Sequence, residues 1–208
     1  MNFTPSILPA LNDGVLHPDP IKQFKEWYDV AVKGNVKQPD AMTLATATKD
    51  GKPSARTVLL KNVDQQGFVF YTKYESRKGR ELSANPYGAL VFFWNDIDRA
   101  ARIEGSLTRI SPEESDAYFA TRPREGQLSS LTSLQSRVVA SRAELDARYE
   151  KLKQEYEGKK IPRPSSWGGF RLKPASIEFW QQRFARLNDR ILYELQADGS
   201  WTMKRLAP

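Results

Sequence analysis

Between Ser54 and Arg80 the chain reads as strand, tight turn, strand and helix start, and this order restricts the fold more than any other stretch. Ser54-Ala-Arg-Thr-Val-Leu-Leu-Lys61 is a largely apolar β run, Asp64-Gln-Gln-Gly67 a hairpin turn and Phe68-Val-Phe-Tyr-Thr72 a second β run. Ser76 is placed to cap a helix, with Arg77 and Lys78 in its first turn. A helix N-terminus exposes free N–H groups and a partial positive charge, so it attracts anions. Basic side chains there oppose the helix dipole, a mismatch that a bound phosphate would relieve. A hairpin followed by a solvated basic helix is the plainer reading of the same residues.

The rest of the chain repeats the hairpin theme. Met42 to Thr48 is β-rich, and Lys49-Asp-Gly-Lys52 is a turn. Ala89 to Trp94 is a nearly continuous apolar run and predicts a buried strand. Arg99 to Ile110 predicts another strand, with a bulge or bend at Gly105. Trp167 to Leu172, Ser176 to Gln182, Ile191 to Leu195 and Trp201 to Leu206 are further strand candidates, the last two joined at Asp198-Gly199.

Helices fall between the strands. Asp19-Pro20 opens one, with Ile21, Phe24, Tyr28, Ala31 and Val32 at helical spacing and Gly34 at its end. Ser111-Pro-Glu-Glu114 and Ser141-Arg-Ala-Glu144 are capping boxes. The second opens a helix carrying Leu145, Tyr149, Leu152 and Tyr156 on one face and ending at Gly158. Residues 124–136 are Ser-rich and ambiguous, and residues 1–18 form an arm ahead of a single domain over 19–208. Hairpins interrupted by helices predict a mainly β fold with peripheral helices, a closed or nearly closed barrel.

Composition bounds the chemistry. The absence of cysteine excludes disulfides and thiolate catalysis, and a single histidine, His17, argues against a metal site or a Ser-His-Asp triad. A net charge of +7 favours anionic partners. The basic residues are scattered, which argues against a nucleic-acid arm. The 5 Trp, 8 Tyr and 10 Phe are enough for a core and for a pocket that stacks on a flat ring. No apolar run reaches the ~20 residues of a membrane span and no signal segment is evident, so a cytoplasmic protein is expected. No P-loop or dinucleotide fingerprint is present.

Ten short segments in order resemble the pyridoxine/pyridoxamine 5′-phosphate oxidase family. They are Arg56-Thr-Val-Leu-Leu-Lys61, Tyr71-Thr72, Ser76-Arg-Lys78, Phe92-Phe-Trp94, Tyr118 with Arg122-Pro-Arg124, Gln135-Ser136, Ser166-Trp-Gly-Gly-Phe170, Ile177-Glu-Phe-Trp-Gln181, Arg186-Leu-Asn-Asp-Arg190 and Arg205-Leu-Ala-Pro208. The resemblance implies a split β-barrel homodimer with FMN in two sites at the subunit interface. It assigns FMN contacts to Arg56, Thr57, Val58, Leu59, Leu60, Lys61, Tyr71, Thr72, Arg77, Lys78, Gln135, Ser136, Trp180 and Arg190. It assigns the substrate phosphate to Lys61, Tyr118 and Arg122, the pyridine ring to Arg186 as the catalytic, orienting residue, and a neighbouring substrate position to Asn188. Arg56 and Lys61, five residues apart, would face opposite ways on a regular strand; a bulge or use of backbone atoms must reconcile them.

The chain departs from the family pattern at several points. Ala100 stands where the family usually has Gln, Gly126 where it has Ser, and Asn188 where it has His. Ser129-Ser-Leu131 replaces the usual Gly-Ala-Trp, as in the related phenazine-biosynthesis oxidases, and the substrate-covering arm is not evident in residues 1–17. The implied activity is FMN-dependent oxidation of pyridoxamine or pyridoxine 5′-phosphate to the aldehyde, with O2 as acceptor. Alternatives are an FMN oxidase of this fold acting on a phenazine-type or other substrate, and a non-catalytic basic module for RNA or acidic surfaces.

Overall fold

The computed structural model describes residues 9–11, 14 and 16–208. Most of the expected N-terminal arm lies outside the described residues. Its described parts lie against the sheet: Leu11 and Leu16 are buried, Gln181 donates to the Pro9 carbonyl (2.9 Å) and the Tyr193 hydroxyl donates to the His17 carbonyl (2.8 Å).

In chain order the elements are α1 (Pro20–Lys33), β1 (Ala41–Ala47), β2 (Pro53–Leu59), β3 (Asn62–Asp64), β4 (Gly67–Lys73), α2 (Arg77–Ala84), β5 (Tyr87–Trp94), β6 (Arg99–Arg109), α3 (Pro112–Thr121), α4 (Arg124–Thr132), α5 (Arg142–Glu155), β7 (Trp167–Gln181), β8 (Asp189–Leu195) and β9 (Trp201–Arg205). Short 3-10 turns cover Asn95–Ile97 and Phe184–Arg186. The described strands form one antiparallel sheet, ordered β2-β1-β5-β6-β7-β4-β3, with β8 and β9 branching from β7.

The branch at β7 makes this a split barrel. One edge of β7 pairs with β6 over residues 170–181, with one register shift. Its other edge is shared: residues 167–172 pair with β4, and residues 176–181 pair with β8. Two strand candidates, Trp167–Leu172 and Ser176–Gln182, are therefore halves of a single fifteen-residue strand. The gap between the two candidates holds Pro174, and the interruption there is local. Its missing N–H falls where the β6 register shifts between Glu104 and Gly105, so a bulge absorbs it. Gly105 is required there, because a Cβ would lie 2.0 Å from the Lys173 carbonyl oxygen.

Helix α1 forms where expected. Asp19 accepts from the Ile21 and Lys22 N–H groups and Gly34 ends the helix. Its apolar face closes the barrel: the Phe24 ring meets Phe68 at 4.8 Å and Phe92 at 4.9 Å. Val32 is outside that face and exposed. Truncating Phe24 to Ala would cost about 3–5 kcal/mol. Residues 124–132 of the ambiguous Ser-rich stretch are helical, and α5 stops at Glu155, with Gly158 in the left-handed region beyond it (φ 67°).

β5 is not the wholly buried strand its composition predicts. Phe92 and Trp94 are inside, but Phe93 is 61% exposed and Tyr87 64% exposed. An uninterrupted apolar run conceals alternation, since both faces of the strand carry apolar residues.

Candidate functional site

A cavity of about 330 Å³ opens between the β2–β4 side of the barrel and helices α3 and α4. Thr57, Val58, Leu59, Lys61, Tyr71, Thr72, Lys78, Tyr118, Arg122 and Gln135 line it, as do Lys73, Ser129, Ser130, Ser133 and Trp167. Ten positions named from the sequence thus meet in one place, drawn from four parts of the chain. Lys61 reaches the rim because β2 ends at Leu59; the chain then turns, and the Lys61 N–H donates to the Val69 carbonyl on β4 (2.8 Å). That break answers the alternation problem with Arg56.

One wall is aromatic. The Tyr71 and Tyr118 rings stack at 3.9 Å and 14°, and Tyr71 lies nearly parallel to Trp167 at 5.1 Å. Burial and the nearby Glu114 push the Tyr71 hydroxyl up to about 12, so it stays protonated and can donate. The Arg122 guanidinium sits 4.9 Å over the Trp167 ring and donates to Ser130 Oγ. Pro123 ends α3 and directs Arg122 inward; Gln127 holds the turn by donating to the Phe119 and Arg122 carbonyls.

The opposite side is cationic. Lys78 is 7% exposed, with its Nζ 3.1 Å from Gln135 Oε1 and 3.4 Å from Thr72 Oγ1. Burial, then the Arg56 charge, lowers its pKa to about 8. Burial likewise lowers Lys73, with Arg148 adding to the effect. Lys61 is paired with Asp40 at 2.9 Å. The lining contains four cationic residues and no carboxylate; among the described residues only Lys61 of the four has an ion-pair partner, so the other three charges favour entry of an anion.

Arg56 and Arg77 lie beside this cavity, not in its lining, and share one carboxylate. Glu81 accepts from Arg77 Nε at 2.8 Å and meets Arg56 Nη2 at 3.3 Å. Burial raises the Glu81 pKa, but hydrogen bonds from Ser54, Thr46 and Arg77 with the Arg56 charge overcome that and hold it at about 2. Glu81 therefore supplies the counter-charge for a basic first turn that the sequence alone left to a ligand. Leu60 points into the core, and Ser136 follows Gln135 in a left-handed conformation (φ 70°).

Trp180, Arg186, Asn188 and Arg190 form a second group, on β7, β8 and the turn between them, outside the cavity lining. Arg190 makes a two-pronged contact with Glu178 (2.7 and 3.1 Å) and donates to the Ala207 carbonyl. Arg186 is exposed at φ 62°, directly after Ala185 at φ 56°. Asn188 Oδ1 accepts from the Arg183 N–H at 2.9 Å, closing that turn. Phe184 and Leu187 beside it are 68% and 70% exposed.

Sequence reasoning missed Lys73, Ser129, Ser130, Ser133 and Trp167 as lining residues. A Ser in an ambiguous stretch and a Trp in a strand carry no signal of their own; only the helix–strand contact places them.

Known proteins decide the family. A family model described as "Pyridoxamine 5'-phosphate oxidase" matches residues 29–181, and one described as "Pyridoxine 5'-phosphate oxidase C-terminal dimerisation region" matches residues 167–208. The chain belongs to the pyridoxamine 5′-phosphate oxidase family. A pyridoxine/pyridoxamine 5′-phosphate oxidase of Rubrobacter xylanophilus is 53% identical over 92% of this chain and 88% of its own. That of Trichormus variabilis is 49% identical over 97% of this chain and 94% of its own. Among solved structures, PhzG from Burkholderia lata 383, in complex with tetrahydrophenazine-1-carboxylic acid, superposes with a TM-score of 0.90 at 31% identity, covering 96% of this chain and 98% of that one. An FMN-binding protein of Nostoc punctiforme shares the fold at a TM-score of 0.72 and 15% identity, over 93% of this chain and 100% of that one. Among the described residues no helix is long and apolar enough to cross a membrane.

Proposed function

We infer that this protein is an FMN-dependent oxidase that converts pyridoxamine or pyridoxine 5′-phosphate to pyridoxal 5′-phosphate, with O2 as electron acceptor. One observation carries the reading: the four-cation, acid-free cavity beside a stack of parallel aromatic rings, in a chain about half identical to oxidases of that name. The residues fit FMN. A phosphate answers the buried Lys78 charge, and Thr72 and Gln135 are already aligned on it. Bound FMN would supply the redox chemistry, as acceptor of hydride equivalents from the substrate carbon and donor of electrons to oxygen.

The protein's own part is grip and orientation. Lys78, Thr72, Gln135 and Ser136, with Arg56 and Arg77 behind them, hold the cofactor phosphate. Lys61, Tyr118 and Arg122 hold the substrate phosphate, where each charge-assisted contact contributes about 1.5–3 kcal/mol. Trp180 and Arg190 contact the flavin, Arg186 lies against the pyridine ring, and Asn188 keeps the Arg186 turn closed. Asn188 has no acid–base function near neutral pH, so proton handling at this point falls to solvent or substrate.

In this reading the working unit is a homodimer. The Trp180–Arg190 group comes from a second copy, which also covers Phe184 and Leu187. The match to a C-terminal dimerisation region over residues 167–208 supports this. A cytoplasmic location belongs to the same reading, since phosphorylated substrates do not cross membranes unaided.

The test is anaerobic mixing of the yellow holoprotein with pyridoxamine 5′-phosphate. Bleaching of the flavin band, with recovery of colour on admitting air, is the expected result; an unchanged oxidised spectrum overturns the substrate assignment. A second reading, oxidation of a reduced phenazine carboxylate, is favoured by the likeness to PhzG and by Gly126 in the phosphate-binding region. It predicts bleaching by that compound and not by the phosphorylated amine.

A further inference from the structure

The sheet register aligns four residues across four strands. Phe93 on β5 pairs with Ala100 on β6, Ala100 with Trp180 on β7, and Trp180 with Arg190 on β8. Directly paired residues in antiparallel strands share a face, so all four side chains stand on one side of the sheet. It is the side away from the core, because the next row, Phe92, Ala101, Phe179 and Ile191, is fully buried.

Two members of the outer row, Trp180 and Arg190, are flavin contacts in the function proposed above, and this inference rests on that reading. Phe93 is the unexplained member. It is a large aromatic side chain, 61% exposed, in a strand whose neighbours Phe92 and Trp94 are at most 1% exposed. Among the described residues, Phe93 makes no ring contact. Ala100, 6% exposed, separates Phe93 from Trp180 and carries no polar atom. Two strand spacings, roughly 10 Å, lie between the two aromatic backbones, with the nearly covered Ala100 methyl between them.

Polarity along the row is graded. Phe93, Ala100 and Trp180 form an apolar ledge, and Arg190 ends it. Three of the five Arg190 N–H donors are used by Glu178 and Ala207, which leaves two for a ligand. A flat heterocycle with one apolar end and one hydrogen-bonding edge fits such a ledge.

We propose that Phe93 is a flavin-contact residue, contributed with Trp180 and Arg190 to the cavity of a second copy of the chain, and that in this protein stacking by Phe93 replaces the edge hydrogen bond that Ala100 cannot make. Ala100 and Phe93 then act as a pair: the side chain that makes no hydrogen bond sits beside the one that supplies aromatic cover.

The measurement is FMN affinity, by quenching of flavin fluorescence on titration into apoprotein, with oligomeric state followed by sedimentation. Phe93→Leu keeps the face apolar but removes the ring. The expected result is a dimer that binds FMN about 5- to 10-fold more weakly than wild type, as loss of one aromatic contact implies. Phe93→Tyr should restore wild-type affinity, and Ala100→Gln in the Phe93→Leu background should recover part of the loss. A dimeric Phe93→Leu variant with wild-type affinity overturns the proposal. So does a Phe93→Leu variant that has lost FMN only because it is monomeric, which would make Phe93 a contact between protein surfaces. Wild-type apoprotein that ignores FMN would instead refute the function proposed above.

Discussion

The two halves of the proposed site differ in how finished a single chain leaves them. The cavity half is assembled. Tyr71, Tyr118 and Trp167 are stacked, Arg122 is held by Ser130, and Lys78 is held by Thr72 and Gln135. The β7–β8 half is tied down at its base, by Arg190 on Glu178 and Asn188 on Arg183, but presents Arg186, Phe184 and Leu187 to solvent. In the proposed reading a single chain prepares the phosphate clamps, while ring contacts wait for a second copy. Anions need precise multipoint donors, which one rigid framework provides best. Planar rings need cover on two sides, which an interface between copies provides.

That contrast is broken most decisively by mixing. Lys78→Met damages the cavity half and Arg190→Ala the strand half; each variant alone should bind almost no FMN. Co-folded in equal amounts, they should recover about a quarter of the wild-type flavin sites, because half the dimers are mixed and each mixed dimer has one site with both halves intact. Flavin absorbance after desalting reads the result directly. No recovery, with mixed dimers shown to form, would mean both halves serve a site within one chain.

Arg122→Ala separates the cavity into its two tasks. Specificity for the phosphorylated substrate, kcat/KM, should fall about 100-fold, as removal of a charge-assisted contact to a phosphate implies, while FMN affinity stays within about twofold. Equal losses in both would show that Arg122 serves the cofactor instead.

pH acts on the other side of the cavity. The Lys78 pKa is depressed to about 8, so in apoprotein its charge is present below that value and lost above it. Phosphate holds the bound lysine protonated. FMN affinity should therefore fall about tenfold from pH 7 to pH 9, and Lys78→Met should show a flat profile over the same range. Glu81 gives the opposite sign in stability. Its folded pKa of about 2 lies below the ordinary carboxylate value of 4.5, so its contribution is full above 4.5 and is lost as pH falls toward 2.

How much of this was legible in the sequence follows from the same physics. Hairpin turns and caps are local, and Asp19, Ser76, Ser111 and Ser141 cap the helices they were read to cap. β7 was not legible as one strand, because Pro174 interrupts the local pattern and only a tertiary bulge reconciles it. The exposure of Phe93 was hidden inside an apolar run, because both faces of β5 carry apolar residues. For the site, the motif residues that line the cavity were visible through family resemblance, whereas Ser130 and Lys73 were not. Their positions depend on how α3, α4 and β4 pack, which no spacing rule encodes.

Ser130 supplies the smallest effect and the finest test of the cavity half. Gly126 leaves this chain without a hydroxyl where the family usually has one, and a Cβ there would approach Arg122 Nη2 to 3.3 Å. Ser130 lies one helical turn later on α4, is 6% exposed, donates to the Gly126 carbonyl at 3.0 Å and accepts from Arg122. It thus helps to position the guanidinium that lies over the Trp167 ring. Ser130→Ala should remove about 1 kcal/mol of that support, raising KM for the phosphorylated substrate about fivefold with kcat unchanged, since the hydroxyl orients a binding group and touches no reacting atom. Ser130→Thr, which keeps the acceptor, should rescue KM. A change in kcat without a change in KM would place Ser130 on the reaction itself and make the Arg122 contact incidental.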